Sequence, residues 1–186
     1  MSFVLARVSE IHPDFSPGFS VSKHPGFSPR DMISYPDMRL HPQTYALTSS
    51  THERRRVFQR TEVAELMIAT IFRYRDGGKF QIHGFVVMPD HIHVALTTGE
   101  PIEAAAKLIK GGFSFAVRNL YKGEIWNPGY HAHRMVDEDD YENQLGYIAD
   151  NPIRKKYVDY PHVHTMGRWS LDLAPSFTDK RPYPEG

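Results

Sequence analysis

"QIHGFVVMPDHIHVALTTG", residues 81–99, decides how this chain is read. Two apolar runs flank Pro89 and Asp90, a pair that favours a tight reversal. The runs therefore read as two antiparallel strands, 81–89 and 91–99. Successive side chains on a strand point to opposite faces. His91 and His93 thus share one face, while Ile92 points the other way into a core. Two neutral imidazoles side by side are a start for a divalent metal site. Two ligands do not complete a shell, so others must come from elsewhere. His83 on the first strand and a second His-x-His, His131 and His133, are further imidazole candidates. With eleven histidines in the chain, such a pair also arises without function. The pair alone does not decide.

Upstream, "TYALTSST" at Thr44 reads as a strand and "HERRRVF" as a polar connection. Thr61 is the expected N-cap of a helix whose stripe is Val63, Leu66, Met67, Thr70, Ile71 and Tyr74. "DGGKF" stops it at Asp76. Downstream, Pro101 suits the first turn of a helix over "IEAAAKLIKGGFSFAVRNLY". "GEIWNPGYHAHRMV" reads as a loop and a short strand. Asp137–Asp140 start a last helix, where acids oppose the helix dipole favourably. Pro152 disfavours helix at Asn151, so the helix is expected to end there. The order strand, helix, strand, strand, helix, strand, helix predicts an α+β fold. A ferredoxin-like antiparallel sheet with helices packed on one face is the natural arrangement.

Three segments are expected. Residues 1–43 form a Pro/Gly/Ser-rich arm with PGFS at Pro17 and again at Pro25. Its Phe15, Phe19, Phe27 and Tyr35 are suited to packing on the domain or a partner subunit. Residues 44–158 form the domain, and 159–186 a tail with little period. The length of 186 residues suits one domain. Cysteine is absent, which excludes disulfides, zinc–thiolate sites and a thiol nucleophile. No apolar run spans a bilayer and no signal segment is visible, so a cytoplasmic protein is expected. Twenty-two basic residues balance 22 acids, which argues against a globally basic nucleic-acid binder but leaves local surfaces open.

The last helix, "DYENQLGYIADNP", carries a second constellation. Tyr141, Leu145 and Ile148 share its apolar stripe. Tyr147 and Asn151, four apart, stack on another face with Gln144 beside them. A tyrosine there suits a nucleophile, and the asparagine oxygen suits a hard divalent ion. The bland alternative is a half-buried tyrosine and an Asn-Pro stop. Tyr141 competes as nucleophile, but its place on the apolar stripe makes it core.

Taken together and in this order, "GFVVMPDHIHVAL", "IWNPGYHAHRMVDEDDYENQLGYI" and "YIADNPIRKKYV" resemble the single-tyrosine HUH transposases. That family includes the insertion-sequence transposases and the REP-associated tyrosine transposases. The resemblance covers roughly residues 44–158. It implies that His91 and His93 are the metal pair, Asn151 the third ligand and Tyr147 the nucleophile. It implies a ferredoxin-like fold, a divalent Mg²⁺ or Mn²⁺ cofactor, single-stranded or hairpin DNA as partner, and a homodimer. The implied reaction cuts and rejoins single-stranded DNA through a covalent 5′-phosphotyrosine. Tyr147 would act in cis or in trans.

Basic residues suited to phosphate fall in three clusters: Arg54, Arg55, Arg56 and Arg60; Lys107, Lys110 and Arg118; Arg154 and Lys155, with Lys156 beside them. A solvated surface is the ordinary alternative for each. Two other functions compete with strand transfer, in an active or domesticated enzyme. One is a metal-dependent phosphoesterase using water. The other is a non-catalytic regulator that binds hairpin DNA.

Overall fold

The computed structural model describes residues 42–157, 161–164 and 171–177. The expected arm, residues 1–43, lies outside these except for its last two residues, so its aromatics are not placed. The described part of the chain is built on strands β1 (Gln43–Ser50), β2 (Gln81–Met88), β3 (His91–Thr98), β4 (His131–Met135) and the two-residue β5 (Val163–His164). Helices α1 (Thr61–Asp76), α2 (Ile102–Ala116) and α3 (Glu138–Arg154) complete it. The sheet order is β4-β1-β3-β2-β5, with every pairing antiparallel. The first four strands and two helices give the expected ferredoxin-like α+β arrangement.

The two faces of the sheet are covered differently. Ile92, Val94 and Leu96 of β3 join Leu47, Phe85 and Val87 beneath α1 and α2, in one large apolar core. Phe58, Phe113 and Trp126 stack within it at centroid separations of 5.1–5.7 Å. Gly112 lets the helices approach, because a Cβ there would lie 2.6 Å from the Tyr74 ring. α3 covers the opposite face, where Tyr141 and Ile148 pack on Val86, Met88, Ala95 and Met135. Two of the three helices therefore share one face as expected, and the third does not. The reason is its stripe: Tyr141, Leu145 and Ile148 offer a smaller apolar strip that suits the less apolar face.

Three boundaries correct the sequence expectations. Thr61 is already inside α1, with Arg60 at the cap and no side-chain cap bond. α3 runs through Pro152 and ends at Arg154. Proline forfeits one helical hydrogen bond, but buried Pro152 is packed, and the Lys155 and Tyr157 amides still find its carbonyl. Lys156, at φ +62°, then turns the chain out of the helix. α2 stops at Ala116, earlier than the basic-aromatic run suggested, and gives way to turns.

Part of the tail packs on the domain. Asp172 receives a forked pair of bonds from Arg75, at 2.9 and 2.7 Å, and another from the Ile82 amide at 2.7 Å. Arg75 first, then that amide, hold the Asp172 carboxyl below the usual range against the opposing cost of burial. Phe177 reaches Tyr141 on α3, with ring centroids 5.8 Å apart.

Candidate DNA-cleavage site

β3 projects His91 and His93 onto the α3 face, as its period requires, with ring centroids 4.9 Å apart. Both are buried, at 8 % exposure each. Their neighbours set the tautomers. His91 Nδ1 lies 2.5 Å from the Asp90 carboxylate, which can only accept. Arg54 approaches the other Asp90 oxygen at 3.5 Å. His93 Nδ1 lies 2.7 Å from Thr48 Oγ1, and its Nε2 faces Asn151 Nδ2 at 3.1 Å. An amide N–H can only donate, so His93 Nε2 accepts and Nδ1 donates to Thr48. Nε2 is thus the acceptor atom of each ring; that of His93 takes the Asn151 N–H in this amide orientation and is freed for a ligand when the amide turns. Desolvation, reinforced by His91 and Arg54, pushes the His93 pKa down to about 3, so its ring is neutral.

α3 brings the other half. Tyr147 stands edge-to-face against His93, centroids 5.3 Å apart, and is 40 % exposed. The Arg154 guanidinium lies 5.2 Å from its ring centroid. Asn151 is buried at 3 % exposure, and its Oδ1 is buried with no hydrogen-bond partner among the described residues. An orphaned carbonyl oxygen beside two imidazole lone pairs fits a hard or borderline divalent ion, because a cation would satisfy all three. A half-turn of the amide exchanges Nδ2 for Oδ1 next to His93. Among the described residues no three His, Cys, Asp or Glu side chains group for a metal.

These side chains line one groove of about 900 Å³ between β1, β4 and α3. It holds His91, His93, Tyr147 and Asn151 together, with Arg54, Arg154 and Lys155. The other basic candidates do not line it. Arg56 bonds the Tyr157 hydroxyl at 2.9 Å, and Arg55 bonds the His52 and Glu124 carbonyls. Arg60 lies 3.9 Å from Glu62. Lys110 holds the Asn127 and Gly129 carbonyls, and Arg118 lies 3.7 Å from the Phe115 ring centroid. Lys107 is exposed on α2, the helix of the other sheet face. His83 is far from the pair. It is fully buried and bonded to Thr97 at 2.7 Å, roughly 20 Å along β3 from His91 at 3.4 Å per residue. Burial lowers its pKa.

Sequence reasoning missed the roles of Asp90 and Thr48. From the sequence Asp90 reads only as a turn residue, though a carboxylate next to a histidine is a signal for a fixed ring orientation. Thr48 carries no such signal, because only the β1–β3 register places it opposite His93.

Residues 40–151 match the model of a family described as "Transposase IS200 like". The chain belongs to the IS200-like transposase family. Membership places it, at the general level, among DNA-cleaving transposases. It is 29 % identical over 150 residues to the REP-associated tyrosine transposase of Escherichia coli K12, covering 73 % of this chain and 87 % of that one. A solved REP-associated tyrosine transposase, bound to a REP hairpin, superposes with a TM-score of 0.59 at 25 % identity. That match covers 74 % of this chain and 88 % of the other. Among the described residues no helix is long and apolar enough to cross a membrane.

Proposed function

We propose that this transposase-family chain is a strand transferase that cuts and rejoins single-stranded DNA beside hairpins through Tyr147. The observation that carries this reading is the convergence of Tyr147, Asn151, His91 and His93 on one groove from two distant segments. The likeness to a relative solved on a REP hairpin supports hairpin DNA as the partner.

His91, His93 and Asn151 would hold a divalent ion, Mg²⁺ or Mn²⁺. When bound, it would supply Lewis-acid polarisation of the scissile phosphate. The chain's own groups do the rest. Arg54, Arg154 and Lys155 hold phosphate charge at the groove. The Tyr147 oxygen forms a bond to phosphorus as the bond to the 3′ oxygen breaks, giving a 5′-phosphotyrosine and a free 3′-hydroxyl. The tyrosine proton is lost and the leaving oxygen gains one. Attack by another 3′-hydroxyl reverses the step and restores the tyrosine. The Tyr147–His93 contact within one chain supports attack in cis. A homodimer, acting in the cytoplasm, completes the proposal; β4 is one of the two edge strands of the described sheet, longer than the two-residue β5, and suits pairing with a second copy.

The test is adduct formation. Wild type with Mn²⁺ and a hairpin carrying a single-stranded flank should give a protein–DNA adduct stable to denaturation, and Tyr147→Phe none. Cleavage without an adduct would favour a phosphoesterase using water. Binding without cleavage would favour a regulator. An adduct surviving Tyr147→Phe would refute the nucleophile.

A further inference from the structure

The second His-x-His is not absorbed by the cleavage chemistry, yet it lies in the same groove. Thr48 pairs with His93 on one side and with His131 on the other. The three residues form one row across the sheet and share a face. Ala46 and His133 form the next row. Two strand spacings separate His131 from His93, about 10 Å. Among the described residues His131 does not group with His91 and His93 as three metal ligands. The spacing is near enough for a nucleotide adjacent to the one being cut.

The space between is small-floored and open. Ala46, Thr48 and Ser50 stay partly exposed, alternating with buried Leu47 and Ser49. On one side stand His131 and His133; on the other, α3 offers Asn143 and Gln144. His133 is held by both Asp140 oxygens at 2.9 Å, which fixes its ring. The charge differs along the groove. Around Tyr147 the cations Arg54, Arg154 and Lys155 accompany the groove carboxylate Asp150, with Asp90 engaged by His91 and Arg54, whereas among Asn143 and its neighbours on α3 the groove's charge is Glu142, and His133 is bonded to Asp140. Carboxylates disfavour a phosphate there, while amides and imidazoles match the donor and acceptor edges of a base. Rings also offer stacking to an unpaired base.

We propose that the β4 side of the groove is a nucleobase subsite. His131, His133, Asn143 and Gln144 would hold an unpaired base of single-stranded DNA next to the scissile phosphate and set sequence preference. The proposal rests on the strand-transfer reading of the groove, and its test separates the two.

A hairpin oligonucleotide with a randomised single-stranded flank is incubated with the full chain, and the retained flanks are sequenced. Wild type should enrich particular bases at one or two flank positions. His131→Ala and Asn143→Ala, both at exposed sites, should each weaken that preference about tenfold, the scale of one good base contact. The salt dependence of binding to non-preferred flanks should not change, because no phosphate contact is lost. Gln144→Ala gives a third, independent reading of the same loss. Preference that persists in all three variants would overturn the subsite, as would wild type that enriches no base. If preference shifts in the variants but Tyr147 never forms an adduct, the subsite stands and the strand-transfer reading fails.

Discussion

The two faces of β3 follow one period and obey different chemistry. On one face Ile92, Val94 and Leu96 are fully buried under α1 and α2. On the other, His91, His93 and Thr97 are buried as polar groups, each with a named partner. The apolar face holds the fold by area removed from water. The α3 face packs a smaller apolar cluster that includes Ala95 of β3, and uses its hydrogen bonds to orient two rings. A site can be kept this polar because the opposite face of the same strand carries the larger core.

The comparison breaks first at adjacent residues. Ile92→Ala should cost about 2–5 kcal/mol, as large-to-small changes in closed cores do. His93→Ala, whose space opens toward the groove, should cost less yet remove Mn²⁺ binding. Chemical denaturation and calorimetry with Mn²⁺ measure the two; equal stability losses would erase the distinction between faces.

Next in size is the helix contact that covers the apolar face. Gly112→Val should destabilise by roughly 1–3 kcal/mol, because the new side chain meets Tyr74 and Thr70. Thermal unfolding checks it, and adduct formation by the surviving folded fraction should be unchanged.

The tail contact should be smaller and pH-dependent. Asp172→Asn should cost about 1–2 kcal/mol near neutrality, by weakening charge-assisted bonds to Arg75. The Asp172 pKa is depressed in the fold, so its contribution is present above the unfolded value of about 3.9 and is lost as pH falls through the lower folded value. The gap in melting temperature between wild type and variant should therefore shrink as pH drops below about 4. A constant gap would assign the effect to shape rather than charge.

The least perturbing changes compare charges on the two sides. Arg154→Ala should lower the salt slope of single-strand binding by about 0.7, the value of one lost phosphate contact. Lys107→Ala, on a helix of the other face, should leave the slope for a short single strand unchanged. Equal losses would carry the DNA path around to α2.

Much of the site was legible because it is local. A period of two placed His91 and His93 together, and four-residue helical spacing placed Tyr147 with Asn151. The ferredoxin-like order of elements was legible in the same way. Less legible was anything set by competition between distant surfaces. Pro152 reads as a stop, but burial of its ring outweighs the missing bond. Lys110 reads as a phosphate ligand, but two backbone carbonyls occupy its ammonium.

The sequence by itself determined the strands, the helices and which residue types share each local face, since those follow from backbone periodicity. Only the tertiary structure decided that α3 lies on the polar face, that Thr48 orients His93, and that His131 stands in line with His93. Those depend on strand register and helix docking, where residues more than thirty positions apart meet, and no local spacing encodes such a meeting.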